Sequence, residues 1–246
     1  MTLLAIEDLD VRHGLLQAVR GVSFTIAKGE TVALVGANGA GKTALMRAIA
    51  GAHLPVAGRV LLNGQDIAQV PSHKRVGMGI ALVPEGRKLF AQMTVEENLI
   101  LARSAGRGGA WTIDAVMTAF PQLVPRRTAK CGTLSGGEQQ ATSIGRALMT
   151  NPDILLIDEL SLGLSPLAVD RVYASLKTLI ASGATTLLVE QDLRRAMGVA
   201  DRIICMLEGR IVLQGRSSEV SREDVTRAYF GLRGTDDTHA AGSAAP

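Results

Sequence analysis

Residues 36–43 read GANGAGKT, Gly36-Ala37-Asn38-Gly39-Ala40-Gly41-Lys42-Thr43, and fit the pattern GxxxxGK[ST]. The flanks decide what that pattern means. Upstream, TVALV at 31–35 is a short apolar run that predicts a buried strand; downstream, 42–50 has helical composition and stops at Gly51. A strand, a glycine-rich loop and a helix in that order form a phosphate cradle. Backbone N–H groups from Gly36, Asn38, Gly39, Ala40 and Gly41 turn toward a β-phosphate, Lys42 supplies a point charge to β- and γ-oxygens, and the Thr43 hydroxyl is a hard oxygen ligand for Mg²⁺. A glycine-rich loop carrying an accidental lysine would not come with both flanks in place. The stretch therefore predicts a Mg²⁺-dependent nucleotide site for ATP or GTP.

Working outward, alternating apolar runs at 3–11 and 22–27 predict two strands, and Lys28-Gly29-Glu30 turns the chain into the strand at 31–35. Further strands are expected at 59–63 and 79–83. From Gly86 to Thr150 the composition favours helices broken by loops, which predicts an inserted helical lobe. Strand and helix then alternate again: strands at 154–157 and 185–189, helices at 166–181 and 193–200, and closing strands at 202–207 and 210–214. The expected fold is α/β with a mostly parallel, mixed sheet. Its parts are a nucleotide-binding core split between 1–85 and 151–233, a helical subdomain at 86–150 and a small polar tail at 234–246 expected to be disordered.

The run ILLI at 154–157 ends in Asp158-Glu159, which puts two carboxylates at the C-terminal edge of a buried strand, where open α/β sheets bind ligands. Such a pair is often purely structural. Downstream of a phosphate loop it reads as Asp158 for Mg²⁺ and Glu159 for the attacking water.

Composition removes several alternatives. The chain has 246 residues, 47% of them hydrophobic, enough for a sizeable core, and no apolar run reaches the roughly 18 residues of a membrane span. Acidic residues break the N-terminal run before a signal peptide can develop, so a cytoplasmic location is expected. A net charge of +3 without a basic block, and only 3% aromatics, give no support to a nucleic-acid partner. Cys131 and Cys205 lack metal-ligand companions and read as ordinary thiols.

One stretch is narrower than any of these. LSGGEQQ at 134–140 can be read as a turn with Ser135 as N-cap and Glu138 closing a capping box. Taken with its place between the phosphate loop and ILLIDE, it resembles the signature of the ATP-binding-cassette (ABC) ATPases, and the order of motifs resembles that family up to about Gly234. VPEGR (83–87), TVEENL (94–99), SLGLSP (161–166), LLVEQ (187–191) and RAYFG (227–231) look more narrowly like the shorter ATPase subunit of branched-chain amino acid importers. The resemblance implies a P-loop NTPase fold and a dimer with a second ATPase subunit, identical or not. Ser135, Gly136 and Gly137 would then face the γ-phosphate of an ATP held by the partner. It also implies transmembrane permease subunits, an external solute-binding protein and a place on the inner face of the cytoplasmic membrane. The segment from Pro84 onward would link nucleotide to permease, and 161–164 would cross the dimer interface.

Five positions depart from the wider family. Glu85 stands where Gln is usual; it can still ligate Mg²⁺ and adds a negative charge beside Asp158 and Glu159, so like-charge repulsion is expected. Gln191 replaces the usual histidine and is expected to sense and position without shuttling protons. His13 falls where an aromatic residue stacks on adenine, Ala44 removes a hydroxyl that reaches the α-phosphate, and Leu160 replaces a frequent proline. The expected catalytic set is Glu159, Gln191 and Glu85, with Thr43, Glu85 and Asp158 for the metal. Import of another small polar solute, such as an amide or urea, lipid export, and a poorly hydrolysing regulatory module remain as alternative functions.

Overall fold

The computed structural model describes residues 1–231; the tail expected at 234–246 lies outside the described residues. Two sheets carry the fold. Strands β1 (Thr2–His13) and β2 (Leu16–Ala27) form an antiparallel hairpin, joined on the other side of β1 by β4 (Ala57–Leu62) and the two-residue β5 (Gln65–Asp66). The second sheet has the order β10-β9-β3-β8-β7-β6. Here β3 (Thr31–Val35), β6 (Ile80–Val83), β7 (Ile154–Ile157), β8 (Thr185–Val189) and β9 (Arg202–Leu207) run parallel, and β10 (Arg210–Arg216) closes the edge antiparallel to β9. The mixed, mostly parallel sheet expected from sequence is present. The early strands do not join it: they make a separate antiparallel sheet, because consecutive strands linked by the tight Gly14-Leu15 turn pair with each other.

Alternation along the short central strands divides the core. Val32 and Leu34 of β3, with Leu156 of β7 and Leu187 of β8, face the antiparallel sheet and α1 (Lys42–Ile49). On the opposite face, Leu155, Ile157 and Leu188 meet the helical lobe of α3 (Val95–Arg103), α4 (Ile113–Ala119) and α5 (Gly136–Leu148), together with α6 (Pro166–Ala181). Ala33, Val35, Ile203 and Cys205 share that second face and are covered by α7 (Leu193–Met197) and α8 (Arg222–Tyr229). Strands covered on both faces read as nearly continuous apolar runs, which is why 154–157 shows no polar position and 31–35 only Thr31 at its start.

Two helices had no expectation in the sequence. One is α8; the other is α2 (Ser72–Met78), whose Arg75 is fully buried. Its guanidinium donates to the carbonyls of Val70 (2.7 Å), Ala68 (2.8 Å), Ala48 (2.7 Å) and Ile49 (2.7 Å). The last two are carbonyls of the final turn of α1, so a buried cation sits at the negative end of the helix that begins in the phosphate loop. Burial lowers the Arg75 pKa to about 10, with partial relief from Asp66, and the group remains charged at neutral pH. The helix expected at 193–200 is shorter, because Gly198 caps it after Met197. Replacing Arg75 by Leu strips four buried carbonyls of their donor. We expect a loss of roughly 3 kcal/mol, seen as a lower urea midpoint at unchanged slope, with Lys restoring only part of it.

Candidate active site

The order β3-β8-β7 brings three strand ends to one edge of the sheet: the phosphate loop after β3, Glu190-Gln191 after β8 and Asp158-Glu159 after β7. Gly36 and Gly41 lie at φ 150° and 100°, and a Cβ there would stand 2.3 Å from the Met206 carbonyl and 2.2 Å from that of Ala18, respectively. Only glycine fits either place, so β2 and β9 press the loop into its cradle shape. Asn38 and Gly39 are exposed at its tip, while Ala40 is buried below them. The Lys42 ammonium, also buried, donates to the carbonyls of Gly36 (2.7 Å) and Ala37 (2.9 Å). Burial lowers its pKa, and Glu159 and Asp158 oppose that shift.

Thr43 Oγ1 donates to Asp158 Oδ1 at 3.3 Å across 115 positions of sequence. Asp158 is buried; Glu159 is half-buried and adopts φ 52°, a left-handed conformation that turns it away from the strand. Burial first, then the charges of Glu159 and Glu85, raise the Asp158 pKa from 3.8 to about 6, against the lowering effect of Thr43. The like-charge repulsion expected around Glu85 is thus felt at Asp158, although the Glu85 side chain is exposed. Gln191 Nε2 donates to Glu159 Oε1 at 2.9 Å, so the amide touches the second carboxylate directly. Leu160 is fully buried, which supplies a physical reason for an apolar residue there: it pins the chain between Glu159 and Ser161.

Hard oxygen donors fit Mg²⁺. Among the described residues no group of three or more His, Cys, Asp or Glu side chains converges, so the Thr43 hydroxyl and substrate phosphates would have to complete the shell. Ala44 is buried in the first turn of α1 and offers no side-chain donor. His13 is exposed at the end of β1, with its ring 4.4 Å from that of His53 and tilted by 47°.

The signature stretch lies elsewhere. Ser135 Oγ accepts from the Glu138 N–H (3.3 Å) and the Ser135 N–H donates to Glu138 (2.8 Å), so the capping box is formed. Gly136 and Gly137 pack on Leu164 and Ala168, each of which would be 3.0 Å from an added Cβ. Together with Ser165 and Arg171 these residues line a groove of about 340 Å³. Among the described residues no hydrogen bond joins 135–137 to the phosphate loop. Arg87, inside VPEGR at 83–87, has a role that only the fold reveals. The Arg87 guanidinium reaches Gln139 (3.1 Å) and the Leu162 carbonyl (3.5 Å), and its carbonyl accepts from Ser143 (3.0 Å) and Arg146 (3.1 Å), tying the segment after β6 to α5.

A glycine loop closed over a buried lysine, a hydroxyl–carboxylate pair and a second carboxylate beside it are the parts of a P-loop nucleotide-binding cassette. The comparisons place it further. The sequence profile of the ABC transporter family matches residues 19–161, and the chain belongs to that family. It is 38% identical over 238 residues to the high-affinity branched-chain amino acid transport ATP-binding protein BraG of Pseudomonas aeruginosa, covering 93% of this chain and all of that protein. With BraF of the same organism, which bears the same description, the identity is 31% over 255 residues, covering 93% of this chain and 98% of BraF. Among solved structures, an ATP-binding cassette of an ABC transporter in its ADP conformation superposes with a TM-score of 0.79 at 27% identity, covering 94% of this chain and 95% of the other.

The raised pKa of Asp158 has a definite sign. The folded state binds the proton more tightly than the unfolded chain, so this group's stabilising contribution is complete below about pH 4 and is lost as pH rises through about 6. Chelator-treated protein should therefore lose roughly 2–3 kcal/mol across that window relative to Asp158→Asn, measured by urea unfolding at a series of pH values.

Proposed function

We propose that this chain is the ATP-hydrolysing subunit of a transporter that imports branched-chain amino acids. The observation that carries the ATPase reading is the meeting of Thr43 with Asp158 at 3.3 Å while Glu159 is held by Gln191 at 2.9 Å. The solute class rests on the relatives: the better match is to BraG, which is shorter than BraF, and that supports a pairing of this chain with a longer companion ATPase.

In this reading Lys42 and the N–H groups of the loop hold the β- and γ-phosphates, and His13 offers a face to adenine. Thr43, Asp158 and Glu85 would hold Mg²⁺, whose charge neutralises the phosphate oxygens. Glu159 orients and polarises a water for in-line attack on the γ-phosphorus, and the Gln191 amide fixes the direction of that carboxylate. Ser135, Gly136 and Gly137 present the start of α5 to the nucleotide of the second cassette. A 250 Å³ groove lined by Val76, Leu82, Phe90, Leu101 and Ala102 is where a permease would dock; Phe90 and Leu101 are large apolar side chains left exposed. Arg146, in the same groove, hydrogen-bonds the backbone of residues 87 and 88, a direct route from permease to site. No helix among the described residues is long and apolar enough to cross a membrane, so attachment to the inner face of the cytoplasmic membrane would be through the permeases, with an external solute-binding protein beyond them.

Magnesium-dependent ATPase assays of the chain with and without its permeases test the proposal. Glu159→Gln should lower turnover by about two orders of magnitude with ATP binding retained, and Gln191→Ala by about tenfold. A wild type inactive even in the full complex would overturn it. Leu101→Asp should weaken co-purification with permease while leaving the isolated chain as stable as wild type, because the side chain is already exposed.

A further inference from the structure

Glu190 follows β8 and is 1% exposed, a buried carboxylate at the edge of the active site. Its Oε1 accepts from Ser161 Oγ (2.7 Å) and from the N–H groups of Gln191 (3.0 Å) and Asp192 (3.3 Å), and its Oε2 accepts from the Tyr173 hydroxyl (2.6 Å). Every partner is a donor, which is the set a buried anion requires. Burial and the neighbouring carboxylate push the Tyr173 hydroxyl well above its ordinary pKa, so it stays protonated and donates. The Arg195 guanidinium lies over the Tyr173 ring at 5.4 Å and hydrogen-bonds Asp170 at 3.0 Å, holding the ring from its outer side.

These contacts close a ring. From Glu159 the chain passes through buried Leu160 to Ser161; Ser161 binds Glu190; Glu190 holds the backbone of Gln191; and the Gln191 side chain returns to Glu159 at 2.9 Å. Glu159, Ser161, Glu190 and Gln191 also line one cleft of about 170 Å³, room for a few water molecules. A glutamate at φ 52° sits in a sparsely populated conformation and needs such external fixing to keep its carboxylate aimed.

We infer that Glu190 is a positioning residue for ATP hydrolysis, holding Gln191 and the loop after Glu159 in one register, with Tyr173 as its support. The inference rests on the reading of Glu159 as the group that activates water. If Glu190 only capped the turn into α7, its loss would affect stability without selecting turnover, and Tyr173 and Ser161 would be bystanders.

The test uses the full chain with Mg-ATP, reading kcat and KM alongside hydrogen exchange at the Gln191 and Asp192 amides. Glu190→Gln should lower kcat about tenfold or more with KM within about threefold and should speed exchange at both amides. Tyr173→Phe, which removes one oxygen, should lower kcat about threefold. Combined with Glu190→Gln it should add little, because both act through one carboxylate. Ser161→Ala should behave like Tyr173→Phe, and Ser161→Thr should restore the rate. Wild-type kcat in Tyr173→Phe and Ser161→Ala would overturn the inference even if Glu190→Gln failed to fold, as would a loss confined to KM or unchanged exchange in Glu190→Gln. A wild type that does not turn over ATP even in the full complex with its permeases would instead overturn the reading of Glu159, while the exchange comparison still decides whether Glu190 holds this loop.

Discussion

Parallel pairing of three buried strands governs everything else in the molecule. β8 lies between β3 and β7, with Leu34 opposite Val189 and Ile157 opposite Leu188, so three chain segments far apart in sequence end level with one another. That alignment turns a glycine loop, a pair of acids and a glutamate–glutamine pair into one site. The strands are short and, past the threonines that start β3 and β8, apolar on both faces, so their register is set by packing on two sides, and a slip of one residue would exchange the two core faces. The chemistry is therefore as rigidly placed as the core.

Charge at this edge is out of balance by design of the fold. Glu159 and Glu85 act on Asp158 in a region where Lys42 is the buried cation, and Lys42 gives its hydrogen bonds to the loop's own carbonyls. Burial favours the neutral form of each, shifting Asp158 up and Lys42 down. A divalent cation with polyphosphate, as the proposed function requires, would supply both missing signs at once. Glu190, one strand over, shows the opposite solution: an anion saturated by donors from its own chain.

Much of this was legible in the sequence, and the reason is local. The phosphate loop, ILLIDE and the helix after Pro166 are each specified by neighbours within a few residues, and β7, β8, β9 and α6 run over the expected spans. What stayed hidden depends on distant contacts. SHKRVGM at 72–78 has little helical pattern and is fixed by Arg75 reaching α1. The separate antiparallel sheet follows from pairing choices that alternation cannot express. Glu190 did leave a trace: like Asp158 it is an acid that ends an apolar run. Without the fold nothing connected it to Ser161 or Tyr173, 29 and 17 positions away.

The guanidinium behind α1 has a mechanical meaning. That helix has 8 residues, about 12 Å of length, and is wedged at its front by backbone that tolerates only glycine and bolted at its rear by Arg75. Its two ends are held by contacts of different kinds, steric at the front and hydrogen-bonded at the rear. A ligand in the phosphate loop would thus meet a helix start whose place is set beforehand, at the far end, by a cation it never touches.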